Sequence, residues 1–157
     1  MKSGSILICS NMITPFVPQD YPYEKRPSYP HMKPYDVAIW ERFLAEYPTY
    51  YNKVQYDVPC GEGPQFDTLA NEETGGHDER LYKRKIDVVG FRGNEVDIIE
   101  VKPRAGPSAI GQVKMYRQLY FVDYKPLRNP NCVIITDSFS NDVAEFAVRE
   151  QVRLFAV

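Results

Sequence analysis

The sequence has few of the residues that build transition-metal sites or cross-links. Its 157 residues include only three cysteines and two histidines. Cys9, Cys60 and Cys132 lie far apart and form no C-x-x-C pair. This spacing argues against a zinc ribbon and a four-cysteine iron–sulfur cluster, and it is typical of reduced thiols. We therefore expect no zinc, no iron–sulfur cluster and a reducing, cytoplasmic location.

Long apolar runs and a large charge excess are also absent. No run approaches the ~20 apolar residues of a membrane-spanning helix, so we expect no membrane partner. The formal net charge is −2, which is unlike a polybasic protein that coats nucleic acid non-specifically. An anionic partner would therefore have to bind a local basic patch.

Proline is abundant, and much of it lies near the N-terminus. Six of the thirteen prolines fall between residues 13 and 35, which is too many for a helix or a central strand. We therefore divide the chain into an extended Pro/Tyr-rich arm, residues 1–35, and a single domain, residues 36–157. Either the arm is a strap whose tyrosines cover apolar surface, the reading we favour, or its tyrosines and basic residues contact nucleic acid.

Hydrophobic periodicity predicts an alternation of helices and strands in the domain. The predicted elements are helix 36–47, strand 50–58, strand 82–91, strand 95–102, helix 109–122 with Ser108 as its N-cap, strand 132–136, helix 141–150 and strand 152–157. Between the first two strands, residues 61–79 carry six acids in a long loop, which is typical of a functional or disordered segment. The order predicts an α/β (α+β) fold, with a mixed central sheet flanked by helices.

Two carboxylates are predicted to meet within one β-hairpin. If Gly93-Asn94 forms a two-residue turn, Asp87 lies opposite Glu100, and Lys102 shares the face of Glu100. Opposed like charges destabilise a sheet unless a proton is shared or a cation lies between them. Oxygen ligands favour a hard cation, Mg²⁺ or Mn²⁺. The alternative is a set of surface ion pairs, but the second strand is apolar on both faces and is therefore expected to be covered.

These residues resemble the signature of the PD-(D/E)xK nuclease superfamily, and a Gln–Tyr pair on the next helix resembles the QxxxY motif of its RecB-like branch. The predicted order agrees with the restriction-endonuclease-like αβββαβ core of that superfamily. The literal Pro-Asp pair is absent, because Ile86 precedes the aspartate. The matching residues are Asp87, Glu100, Val101, Lys102, Gln112 and Tyr116.

The resemblance implies a metal-dependent nuclease that hydrolyses DNA. Asp87, Glu100 and the backbone carbonyl of Val101 would bind Mg²⁺ or Mn²⁺. A further acid often comes from the first helix of these proteins. Glu41 is the candidate here, because it lies at the edge of the buried face of that helix.

The remaining roles concern water and substrate. Lys102 would position or help to deprotonate the attacking water, and Gln112 would orient Lys102 or the water. Tyr116 would contact the substrate, unless it packs in the core. The basic residues expected to bind phosphate are Arg104, Lys114 and Arg117.

Other functions remain open at the level of sequence. The chain could be a catalytically silent nuclease fold that binds nucleic acid or serves in assembly, or its arm could dock a partner protein. Its small size favours a homodimer or a larger nucleoprotein complex. The sequence does not choose between endonuclease, exonuclease and junction resolvase.

Overall fold

The computed structural model describes residues 16–62 and 83–157. These ranges form one six-stranded sheet with three helices, which is an α+β fold. The elements, in chain order, are β1 (Tyr21–Pro22), α1 (Pro34–Glu46), β2 (Lys53–Cys60), β3 (Arg84–Arg92), β4 (Glu95–Arg104), α2 (Pro107–Tyr124), β5 (Asn131–Ser138), α3 (Asn141–Arg149) and β6 (Val152–Ala156). Within the described ranges, none of the helices is long and apolar enough to cross a membrane.

The strands lie in the sheet in the order of the sequence, from β1 to β6. The pairs from β1 to β4 are antiparallel, whereas β4, β5 and β6 run parallel. Parallel neighbours need a crossover connection, which α2 supplies between β4 and β5. The predicted mixed sheet and the predicted order α-β-β-β-α-β, from α1 to β5, are confirmed.

Helices cover both faces of the sheet because its central strands are apolar on both sides. On one face, Trp40 and Phe43 of α1 pack in a core that includes Ile99. On the other face, Ile110 of α2 packs in a core that includes Ile98. Both isoleucines are fully buried, so β4 is a covered central strand, as its sequence predicts.

Several predicted boundaries differ from the structure by a few residues, and two of the differences have a clear local cause. Helix α2 begins at Pro107 and has Gly106 as its N-cap residue, so Ser108 is not the cap. Proline is favoured in the first helical position, where its missing N–H would have no partner in any case. Strand β2 begins at Lys53 rather than at residue 50, because the backbone N–H of Tyr50 still closes the turn after α1.

The described part of the proline-rich arm lies across the domain. Its two-residue strand β1 pairs with β2. The Tyr23 hydroxyl donates to the Tyr47 carbonyl at 2.8 Å, and the buried Tyr29 ring packs edge-on against Tyr56. The tyrosines of this segment therefore cover apolar surface, which is the packing expected of a strap, and we call residues 16–33 the strap.

Some predictions concern residues outside the described ranges. Most of the acidic segment 61–79 is among them, as is Cys9. The other two cysteines, Cys60 and Cys132, are free and buried.

Candidate active site

The β3–β4 hairpin has the register that its turn predicts. Gly93 adopts a left-handed backbone with φ of 57° in the turn, and the cross-strand pairs run from Arg92 with Glu95 to Val88 with Ile99. Asp87 comes next on β3, and Glu100 comes next on β4. The two carboxylates are therefore brought to the point where the ladder of paired residues ends.

Asp87 is fixed against β4 by its own side chain. Its carboxylate oxygen Oδ2 accepts a hydrogen bond from the backbone N–H of Val101 at 2.9 Å. On a regular strand, side chains three residues apart lie on opposite faces. Ile86 and Val89 of β3 nevertheless pack in the same core, so the alternation of side chains is broken between them. This local break leaves Val101 N–H bonded to a carboxylate rather than to a strand carbonyl.

Glu100 begins a chain of polar contacts that runs from β4 to α2. Its side chain is buried, with 3% of the residue exposed. Its Oε1 lies 3.1 Å from Lys102 Nζ, whereas its Oε2 is buried without a hydrogen-bond partner. Lys102 Nζ donates to Gln112 Oε1 at 2.7 Å, and Gln112 Nε2 donates to the Tyr116 hydroxyl at 2.9 Å. The two α2 residues can share this chain because they are one helical turn apart.

These residues border an open cleft of about 460 Å³, which we call the acidic cleft. Its walls come from the strap, α1, β3, β4 and α2. The lining residues are His31, Met32, Lys33, Tyr35, Asp36, Asp87, Glu100, Val101, Lys102, Pro103, Arg104 and Gln112.

Burial and mutual repulsion raise the pKa values of the carboxyl groups in the acidic cleft. Burial raises the pKa of Glu100 to about 7, and the nearby charge of Asp87 adds to this effect while Lys102 opposes it. Burial also raises the pKa of Asp87 to about 6, against the hydrogen bond from Val101. A cation bound here would favour the ionised form of both groups and lower these pKa values.

The acid that α1 contributes to the cleft is Asp36 rather than Glu41. Glu41 Oε2 lies 2.8 Å from Lys25 Nζ of the strap, and this residue does not line the cleft. Asp36 lies in the first turn of α1 and lines the cleft. Burial raises its pKa, while the charges of Lys33 and Lys102 lower it. Sequence reasoning missed Asp36, although its position at the start of a helix that covers the sheet was a usable signal.

Three of the predicted substrate contacts lie away from the acidic cleft, and the fourth lines it. Arg104 is at the cleft, at the end of β4. Tyr116 is buried and reaches the cleft only through Gln112, which agrees with the core alternative. Lys114 pairs with Glu150, and Arg117 does not line the cleft.

The oxygen atoms of the acidic cleft suit a magnesium site with few protein ligands. Among the described residues, no three His, Cys, Asp or Glu side chains are grouped closely enough to hold a metal on their own. However, Mg²⁺ is usually held by one or two carboxylates, and waters and substrate phosphates complete its shell. Asp87 and Glu100, whose Oε2 has no partner, meet that requirement, and Val101 lines the same cleft.

No family model and no curated protein matches this chain. Among solved structures, a repair endonuclease from Pyrococcus abyssi aligns at 15% identity over 76% of this chain and 46% of its own, with a TM-score of 0.46. The EndoMS-dsDNA2 complex aligns at 14% identity over 87% of this chain and 48% of its own, with a TM-score of 0.46. A protein of unknown function, AF1548, aligns at 18% identity over 76% of this chain and 56% of its own, also at 0.46. The chain thus spans about half the length of these structures, and likenesses this distant say nothing about its function.

Proposed function

We propose that the protein is a metal-dependent nuclease that hydrolyses phosphodiester bonds of DNA. The observation that carries this proposal is the buried oxygen of Glu100 that has no partner. Leaving a buried carboxylate oxygen unsatisfied is costly. Since Glu100 lines an open cleft together with a second carboxylate, Asp87, and the ammonium group of Lys102, a divalent cation is the ligand that best offsets the cost.

Asp87, Glu100 and the Val101 carbonyl would hold the ion, Mg²⁺ or Mn²⁺, and Asp36 adds a further carboxylate to the same cleft. The ion, when bound, polarises a phosphoryl oxygen and lowers the pKa of a water ligand. Hard oxygen donors favour these two cations over softer metals.

The other residues of the cleft supply orientation and positive charge. Lys102 is held between Glu100 and Gln112, so its ammonium group is available to offset negative charge that develops on the phosphate and to position the attacking water. Tyr116 fixes the Gln112 amide and is a positioning residue. Arg104 and Lys33 add positive charge to the cleft, which suits a polyanionic substrate. The Lys102–Gln112–Tyr116 chain also supports the resemblance to RecB-like nucleases.

The test is cleavage of labelled single-stranded and duplex DNA in Mg²⁺, Mn²⁺ or EDTA. We expect cleavage with either metal and none with EDTA. Glu100→Gln and Lys102→Met should each lower the cleavage rate by about 10²-fold or more. Glu41→Gln is the matched control and should cleave like wild type, because Glu41 pairs with the strap outside the cleft.

Two results would contradict the proposal. Cleavage that survives Glu100→Gln would show that the activity does not arise from this site. A folded wild-type protein that binds DNA but cleaves no substrate in either metal would favour the catalytically silent module instead. Calorimetric titration with Mn²⁺ adds an independent readout, because binding should be lost in Glu100→Gln.

A further inference from the structure

A second cleft of about 510 Å³ adjoins the acidic cleft, and His31 lines both. We call it the aromatic cleft, since rings and prolines form most of its wall. The strap supplies one side, and β2 supplies the other. The apolar lining residues on which the inference depends are Phe16, Pro18, Tyr21, Pro30, Tyr56 and Pro59.

The boundary between the two clefts is built from charged side chains. Asp57 Oδ2 accepts a hydrogen bond from Lys85 Nζ at 2.9 Å and lies 3.6 Å from His31 Nε2. The two neighbours of Asp57 on β2 pair with Val88 and Ile86 of β3, which are the two neighbours of Asp87. It therefore stands beside Asp87 on the neighbouring strand, so the aromatic cleft begins next to the proposed metal site.

The backbone at this boundary is strained on both sides. His31 and Asp57 have φ of 52° and 51°, in the left-handed region that non-glycine residues seldom occupy. Such conformations persist where the surrounding structure imposes them, and they cluster at ligand sites. Here they hold the imidazole of His31 at the junction of the clefts, close to the Lys85–Asp57 pair.

We propose that the aromatic cleft binds an unpaired base of the strand whose phosphate lies in the acidic cleft, so that the substrate is single-stranded or locally unpaired DNA. This inference rests on the proposed nuclease function, because it names the substrate class of the same site. Bases stack on aromatic side chains whatever their identity, since every base has a π-face. A base within a duplex is already paired and stacked, and it cannot enter a cleft unless it is extruded.

The size and the lining of the aromatic cleft fit this ligand. Its volume falls within the ~300–1,000 Å³ range of small-molecule sites. The polar groups of its wall are the Lys85–Asp57 ion pair, His31 and Gln19, which can hydrogen-bond to the edge of a base. The rest of the wall is apolar and aromatic, which is the kind of surface on which bases stack in single-strand binding sites.

The test measures binding without cleavage. Fluorescence anisotropy in EDTA compares a short labelled single strand with the matching duplex. Phe16→Ala removes a ring that is 43% exposed in the aromatic cleft, and Phe121→Ala, at 45% exposed on α2, is the matched control. Since stacking contributes about 1–3 kcal/mol per base, Phe16→Ala should weaken single-strand binding by about 5- to 150-fold. Phe121→Ala should leave it unchanged, and Phe16→Trp should preserve it.

An abasic scan locates the base. Removing the base at one position of the single strand should weaken binding to wild type and add nothing further in Phe16→Ala, because both changes remove the same contact. Equal single-strand affinity of wild type and Phe16→Ala would overturn the inference, as would a preference of wild type for the duplex.

Metal-dependent cleavage separates the two proposals. If wild type still cleaves DNA and Glu100→Gln does not, a negative binding result removes only the base site. If wild type neither binds nor cleaves DNA, both proposals fail.

Discussion

The substitution Glu100→Gln should stabilise the metal-free protein at alkaline pH while it removes activity. The amide keeps the shape of the carboxylate and leaves an oxygen that can accept from Lys102, whose Nζ lies 3.1 Å from Glu100 Oε1. It also removes the negative charge from a residue that is 3% exposed. A variant that loses function and gains stability is the signature of a site strained for function.

The magnitude follows from the pKa of Glu100, which burial raises from 4.5 to about 7. Between these values the folded protein retains a proton that the unfolded chain has released, so wild-type stability falls as pH rises through this window. One pKa unit corresponds to about 1.4 kcal/mol, so the advantage of Glu100→Gln should be about 2–3 kcal/mol larger at pH 8 than at pH 5. For a chain of this length, that is about 4–12 °C in Tm.

Thermal unfolding in EDTA at pH 5 and pH 8 measures this difference. Glu41→Gln is the control and should show no such gain at pH 8, because its carboxylate pairs with Lys25 outside the cleft. Adding Mg²⁺ at pH 8 should raise the Tm of wild type and leave Glu100→Gln nearly unchanged. A Glu100→Gln protein that is less stable than wild type at pH 8, or whose advantage does not vary with pH, would refute the reasoning.

Three further predictions concern α1, the sheet and α2. Asp36→Asn should slow DNA cleavage more than Glu41→Gln does in single-turnover assays, since only Asp36 lines the acidic cleft; equal rates would contradict the assignment. Gly90→Ala should cost about 1–3 kcal/mol in urea unfolding, because the added Cβ would lie 2.5 Å from Cε1 of the buried Tyr51 ring. Gly111 lies on α2, where an added Cβ would have no described atom within 4 Å outside the neighbouring backbone of the helix. Gly111→Ala should therefore stabilise by about 0.5–1 kcal/mol, and the same sign for both glycines would contradict this account.

The sequence predicted how the central residues of the candidate site are brought together, because that arrangement depends on local rules. The Gly93-Asn94 turn sets the register of the β3–β4 hairpin, and alternation along β4 then places Glu100 and Lys102 on one face. The spacing of Gln112 and Tyr116 follows in the same way from the helical repeat. Each of these relations spans at most one hairpin or one turn of helix.

The sequence could not predict which charged residues point into the cleft from farther away. Glu41 lies at the edge of the buried face of α1, but periodicity gives the face of a helix and not the position of a cleft along its axis. Lys114 lies on α2 like Gln112, yet it pairs with Glu150 at the end of α3. Both outcomes depend on tertiary contacts between elements that are distant in sequence.

Residues of the strap and residues of the domain line the same acidic cleft. Deleting the strap is therefore a poor test of whether it docks a partner protein. His31 and Lys33 belong to the strap and line the acidic cleft, and Pro34 begins α1 directly after them. Deleting residues 1–33 would therefore remove one wall of the cleft as well as the tyrosines that cover the sheet. Loss of activity in that deletion would not separate a docking arm from a structural strap. Substituting Tyr35, which is largely exposed on the rim, perturbs the edge of the cleft without uncovering the core.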